Sequence, residues 1–282
     1  TANLTYVQAI AADSLTANPA NTRGLAAEMR QERGAIISAD GVVLAESVKS
    51  SSVYVRQYPQ GSLAAHVLGY YSTRYGRAGV EAAGNEALAG KSNFATFADM
   101  IEAAAGTPVP GNDVRLTIDS RIQAAAEAAL AGRTGAMVVL DPRTGAVLAM
   151  ASSPAYAPGA VDDQWAALSS DSANAALVNR AAMSLYPPGS TYKVVTLATA
   201  LESGVATEGT TYTGPASIEI GGAPVTNYGG SSYGAIDLRK ATASSVNTVF
   251  GQLAVDVGAQ RLVEGSEAFG INAPVPFDLP SV

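Results

Sequence analysis

Gly106, Pro108, Pro110 and Gly111 crowd into one short stretch of the chain, and no regular element can run through it. Proline fixes φ and removes an amide donor, while glycine opens the left-handed region, so helices and sheet ladders both stop there. Residues 103–113 are therefore read as a linker. The 282 residues divide into one module over 1–105 and another over 106–282, each of ordinary domain size.

Upstream of the linker, residues 1–32 carry helical signals in Ala-, Leu- and Glu-containing stretches punctuated by Asn18-Pro19-Ala20-Asn21. From Gly34 the pattern changes. Ala35-Ile36-Ile37, an Asp40-Gly41 turn and Val42-Val43-Leu44 read as a β-hairpin, and Ser52-Val53-Tyr54-Val55 as a further strand. Downstream, Val114-Arg115-Leu116-Thr117-Ile118 predicts a strand. Ser120-Arg121-Ile122-Gln123 then has capping-box spacing and opens an Ala-rich helix that stops near Gly132. A second hairpin pairs residues 137–140 with 146–150 through Asp141-Pro142-Arg143-Thr144-Gly145. Strand, helix, strand, strand predicts an α+β fold with an antiparallel sheet flanked by helices.

Several chemistries are excluded by composition. The 17 basic residues against 24 acidic give a net charge of −7, with no basic stripe to track a phosphate backbone, so nucleic acid is not an expected partner. With no cysteine and a single histidine, His66, the chain has no Cys nucleophile, no thiolate metal site and no His-rich zinc centre. No metal or cofactor is expected. The longest apolar runs, residues 137–140 and 194–201, are far short of the roughly 18–20 residues that span a bilayer. The chain begins at Thr1, which leaves an upstream signal or anchor open.

The chemistry concentrates in Tyr186-Pro187-Pro188-Gly189-Ser190-Thr191-Tyr192-Lys193. The two prolines cannot continue a preceding helix, whereas residues 190–202 have helical apolar spacing and end at Ser203-Gly204, which sets Ser190 at a helix N-terminus. A lone Ser-x-x-Lys is compatible with a plain N-cap and a solvated lysine. Three features go further. Spacing of three brings Ser190 and Lys193 to one face, where a neutral amine can take the hydroxyl proton without any histidine. The helix N-terminus presents free N–H groups and partial positive charge where an oxyanion would form. Ser245-Val246-Asn247 downstream supplies a hydroxyl for proton relay and an amide for gripping a carbonyl. Ser172-Ala173-Asn174 has the same spacing but precedes the nucleophile, and is read as a loop.

These strings resemble the class B penicillin-binding proteins, peptidoglycan D,D-transpeptidases of the actinobacterial PbpA-like kind. Arg33-Gly34-Ala35-Ile36 with Asp40-Gly41 and Leu44-Ala45 is similar to a motif of the family's N-terminal module. So are Tyr58-Pro59 with His66-Val67-Leu68-Gly69-Tyr70, and Gly79-Val80-Glu81 with Leu88-Ala89-Gly90. The resemblance implies a pedestal or dimerisation-type module over 1–105 and a penicillin-binding transpeptidase domain over 106–282. It implies Ser190 as acylated nucleophile, Lys193 as base, Ser245 as proton relay and Asn247 as substrate-backbone clamp. His66, Arg33 and Glu81 would be structural.

The implied substrates are peptidoglycan stem peptides ending in D-Ala-D-Ala, and β-lactams would trap the acyl-enzyme. The implied setting is cell-wall synthesis in division or shape, with divisome or elongation proteins docking on the N-terminal module. A single N-terminal membrane anchor would hold the catalytic domain outside the cytoplasm. A non-catalytic penicillin-binding sensor or interaction protein of the same fold is the alternative. Hydrolysis of β-lactams is disfavoured, because Glu202, Glu208 and Glu219 lack the context of a deacylating base. The family's third motif, Lys-Thr/Ser-Gly, does not occur. The nearest string is Lys91-Ser92-Asn93, so a transpeptidase domain truncated before that motif, and weak or inactive by itself, is expected.

Overall fold

The structure, a computed structural model, describes residues 29–90 and 110–281. Most of the helical reading over residues 1–32, the string Lys91-Ser92-Asn93 and residues 103–109 of the linker lie outside the described residues; residues 29–30 form a turn. The described residues fall into two units. The first runs up to Ser184 and takes in the residues from Phe277, and the second is Leu185–Pro276.

In the first unit, β1 (Ile36–Ile37) and β2 (Val43–Ser50) form the expected hairpin, and β3 (Val53–Gln57) pairs antiparallel with β2. Gly41, at φ 87°, makes the turn that only glycine adopts without strain. The strand expected over 114–118 is only β6 (Val114–Arg115), and it lies parallel to β1, completing a sheet of order β3-β2-β1-β6. The antiparallel expectation fails at this pair because the chain returns to the sheet by a long connection and not by a hairpin.

Short helices α1 (Ala65–Leu68), α2 (Gly79–Ala83) and α3 (Asn85–Leu88), together with the ladder β4 (Tyr71–Ser72) and β5 (Gly76–Arg77), cover this sheet. Ile36, Leu44, Ala45, Leu68 and Leu88 are its buried core. Beside that core Glu81 is fully buried between two arginines. Arg33 Nε donates to it at 3.0 Å and Arg56 Nε at 2.6 Å. His66 is buried as well, with Nε2 2.7 Å from the Ala176 carbonyl, and burial pushes its pKa down. All three residues are thus used structurally.

Helix α4 (Ser120–Leu130) lies against the hairpin of β7 (Gly135–Leu140) and β8 (Val147–Ser153). The capping-box reading needs correction. The N-cap is Asp119, whose carboxylate accepts from the amides of Arg121 and Ile122, while the Ser120 hydroxyl donates to Asp40 at 2.6 Å. Aspartate is at least as good a cap as serine, and Ser120 is more useful as a tie to the turn at Asp40. On β8, Ala149 and Ala151 face α4 while Met150 faces the core of the first sheet, so alternation persists although both faces are buried. Helices α5 (Val161–Ser170) and α6 (Arg180–Met183) follow.

The second unit opens with a 3₁₀ turn, Gly189–Tyr192, that runs into α7 (Lys193–Glu202). Strands β9 (Thr211–Gly214) and β12 (Gly234–Asp237) pair with each other, and β10 (Ser217–Ile220) pairs with β11 (Ala223–Thr226) through Gly221-Gly222. Then come α8 (Leu238–Ala243), α9 (Asn247–Val257) and α10 (Ala259–Ala268). Ala200, Leu238, Val249, Phe250, Leu253 and Val257 make the core that fixes α7 against α9. A Cβ built on Gly265 would lie 2.0 Å from Thr199 Oγ1, so α10 can approach α7 only because residue 265 is glycine. Among the described residues no helix is long and apolar enough to cross a membrane.

Candidate active site

The second unit brings together all four residues singled out in the sequence. Ser190 is not in the first turn of an α-helix, as its spacing suggested, but in the 3₁₀ turn before it. Pro187 and Pro188 hold the approach, and Gly189, at φ 56°, supplies a left-handed step that a side chain would strain. With three residues per turn, positions i and i+3 eclipse, so Lys193 sits over Ser190 more closely than in an α-helix. Lys193 Nζ is 3.2 Å from Ser190 Oγ.

Ser245 follows α8 and the residue that caps its end, and is itself left-handed, at φ 51°. For a non-glycine residue that conformation costs about 1–3 kcal/mol and is found where the surroundings impose it. Here it delivers two oxygens to one amine. Lys193 Nζ donates to the Ser245 carbonyl at 2.8 Å and to Ser245 Oγ at 2.9 Å. Ser245 Oγ in turn donates to Ser190 Oγ at 3.1 Å, which closes a triangle of two hydroxyls and an amine. Asn247, first residue of α9, accepts from Lys193 Nζ through Oδ1 at 2.6 Å, and its Nδ2 donates to the Thr226 carbonyl at 2.7 Å.

Every hydrogen-bond partner of the Lys193 amine is a neutral oxygen, and among the described residues no carboxylate pairs with it. Burial therefore pushes its pKa below the ordinary lysine value, which favours the neutral base. The Phe250 ring, 5.5 Å from Nζ, works weakly in the other direction by favouring the cation. Ser190 itself is exposed, open to an incoming carbonyl.

Ser172 and Asn174 belong to the first unit, in a turn where Asn174 bonds to Asp171. Glu208 pairs with Arg239 instead of approaching the serine. Among the described residues no group of three or more His, Cys, Asp or Glu is placed to hold a metal ion. Sequence reasoning overlooked the support that Thr226, Asn227 and Thr248 give to Asn247. The alternation Ile218-Glu219-Ile220 before Gly221-Gly222 was the available signal for the hairpin that ends there.

Comparison with known proteins adds to this geometry. The model of the penicillin binding protein transpeptidase domain matches residues 135–282, and that of the penicillin binding protein A dimerisation domain matches residues 33–114. Fold and matches define the class: a mixed α and β transpeptidase domain preceded by a dimerisation, or pedestal, module.

Among relatives, the peptidoglycan D,D-transpeptidase PbpA of Mycolicibacterium smegmatis is 35% identical over 294 residues, covering 98% of this chain and 60% of that protein. The solved D,D-transpeptidase domain of a peptidoglycan glycosyltransferase from Eggerthella lenta is 48% identical at a TM-score of 0.81, covering 90% of this chain and 57% of that one. Penicillin-binding protein A from Mycobacterium tuberculosis, as an imipenem acyl-enzyme, is 35% identical at a TM-score of 0.82, covering 90% and 63%. The chain belongs to the penicillin-binding protein transpeptidase family, on its class B, PbpA-like branch. It spans about 60% of the length of its PbpA relatives.

Proposed function

We propose that this chain carries the acyl-transfer site of a peptidoglycan D,D-transpeptidase. The reading rests on one observation, the closed triangle of Ser190 Oγ, Lys193 Nζ and Ser245 Oγ with sides of 3.2, 2.9 and 3.1 Å. Neutral Lys193 takes the Ser190 proton as Oγ attacks the carbonyl of the penultimate D-Ala of a stem peptide. The Ser190 backbone N–H, at the start of the turn and without an acceptor inside it, meets the developing oxyanion. When the C–N bond breaks, the proton on Lys193 passes through the Ser245 hydroxyl to the departing D-Ala amine, leaving an ester on Ser190. An amine from a neighbouring strand then attacks the ester, its proton returns along the same path, and Ser190 regains its hydrogen. Asn247 holds Lys193 through Oδ1 and keeps one amide hydrogen for a substrate carbonyl. A β-lactam would enter the first step and stall at the ester, as the acyl-enzyme form of the Mycobacterium tuberculosis relative illustrates.

Residues 1–105 serve as the dimerisation-type pedestal and 106–282 as the transpeptidase domain, with support from the two family matches. The pedestal is the docking surface for division or elongation proteins. An N-terminal anchor outside the given residues keeps the site on the extracytoplasmic side, where peptidoglycan lies.

A fluorescent penicillin and a labelled D-amino acid test this reading on the intact protein. The penicillin is expected to label it covalently, and Ser190→Ala to abolish the label. Exchange of terminal D-Ala for the labelled D-amino acid is expected with wild type only. Labelling without exchange would identify a sensor instead of an enzyme, and an unlabelled wild type beside a reactive control would end the proposal.

A further inference from the structure

We propose that Asn227 is a positioning residue of this site: it clamps the first turn of α9 so that Asn247 holds Lys193 in line with Ser190. The inference rests on the transpeptidase reading above. Helix α9 begins at Asn247 with Val246 as its N-cap, and Val246 offers no side chain to cap the free amides of the first turn. Asn227, the residue that follows β11, supplies what is missing. Its Oδ1 accepts from the Thr248 amide at 3.0 Å, and its Nδ2 lies 2.9 Å from the carbonyls of both Pro215 and Ser231. Thr248 Oγ1 lies 3.1 Å from the same nitrogen and donates to the Pro215 carbonyl at 2.9 Å. Asn227 is 5% exposed with both ends of its amide engaged, so its orientation is fixed.

The preceding residue carries the effect to the site. The Thr226 carbonyl accepts from Asn247 Nδ2 at 2.7 Å, which decides which end of that amide turns towards Lys193. With Nδ2 committed to Thr226, the oxygen faces the amine, 2.6 Å away. Rotated by half a turn, the amide would offer hydrogens in place of an acceptor, and the Nζ–H bond to Oδ1 that orients the amine would be lost. Thr226-Asn227 thus grips Asn247-Thr248 twice, once by backbone to side chain and once by side chain to backbone.

The test is acylation of the intact protein by a fluorescent penicillin, followed as rate against concentration for wild type, Asn227→Ala, Asn247→Ala and the double variant. Asn227→Ala is expected to lower the limiting rate by roughly 10- to 100-fold with little change in the half-saturating concentration, since a displacement of about 1 Å suffices for such a loss. The double variant is expected to react no more slowly than Asn247→Ala alone, because one residue acts through the other. Ile36→Val, a core truncation in β1 of the first unit, controls for stability and is expected to lower Tm while leaving the rate unchanged. Penalties that multiply in the double variant, a wild-type rate in Asn227→Ala, or an equal loss in Ile36→Val would each overturn the proposal. Should Asn227→Ala not fold, Thr248→Val removes only the hydroxyl of the clamp. Slower acylation is then expected, and an unchanged limiting rate overturns the inference. A wild type that penicillin does not label would overturn the transpeptidase reading itself.

Discussion

Among the described residues Lys193 is surrounded by four neutral oxygens and no anion, and this sets what pH must do to the proposed reaction. Because its pKa is depressed, the folded chain holds fewer protons at this site than the unfolded chain between the lowered value and the ordinary 10.5. Stability therefore rises with pH across that window, the reverse of a lysine that gains an acidic partner. The neutral base becomes more abundant over the same direction. The second-order acylation rate with a β-lactam is expected to climb with pH along a limb centred below 10.5, and Lys193→Ala to lower it by roughly 10²–10⁴-fold. A limb centred at or above 10.5, or a mutant within a few-fold of wild type, would assign the base elsewhere. The pairing of Ser190 with Lys193 was legible in the sequence because it is local, three residues on one turn. The lowered pKa was not, since it depends on groups more than fifty residues downstream that only folding assembles.

Among elements, α7 carries the proposed base and is held from two sides, by α9 through the apolar core and by α10 through the contact of Gly265 with Thr199. Two effects compete at Gly265. In an exposed helix, Gly→Ala stabilises by about 0.5–1 kcal/mol through chain entropy. Here the new methyl meets Thr199, and overpacking costs about 1–3 kcal/mol. Gly265→Ala is expected to destabilise the protein in urea titration and, by shifting α7, to slow acylation. A gain in stability would mean that the two helices are not in close contact. The breakers and apolar period gave the end of α7 at Glu202 in the sequence but set its start at Ser190, three residues before Lys193. What they did not give was the 3₁₀ form of the turn at Ser190, which follows from how Pro187-Pro188-Gly189 deliver the chain into α7.

In the molecule as a whole, Glu81 is a charge buried in the N-terminal module. It is 0% exposed and faces two guanidinium groups, one of which, Arg56, keeps a buried Nη2 with no hydrogen-bond partner among the described residues. Removing one partner from such a cluster leaves uncompensated buried charge, which costs about 3–5 kcal/mol. Glu81→Gln is expected to lose stability of that order in equilibrium unfolding. A loss below about 1 kcal/mol would mean that solvent already screens the arginines. The positions of Arg33 and Glu81 were readable as strings resembling a family motif, yet their pairing was not, since each finds the other across nearly fifty residues of chain.

By itself the sequence determined features that depend on short-range chemistry: the hairpin turns at Asp40-Gly41 and over 141–145, the helix that opens at Ser120, the end of α7 at Glu202 and the Ser-x-x-Lys step. Only the tertiary structure decided that β6 would run parallel to β1, that Asp119 would cap α4, and that the Ser245 carbonyl and hydroxyl and the Asn247 amide oxygen would converge on one amine. The physical reason is the same in each case. A turn or cap is fixed by a few neighbouring dihedrals. A contact between distant segments is fixed by how a whole core packs, and the pairs of residues that meet there leave no periodic trace in the chain.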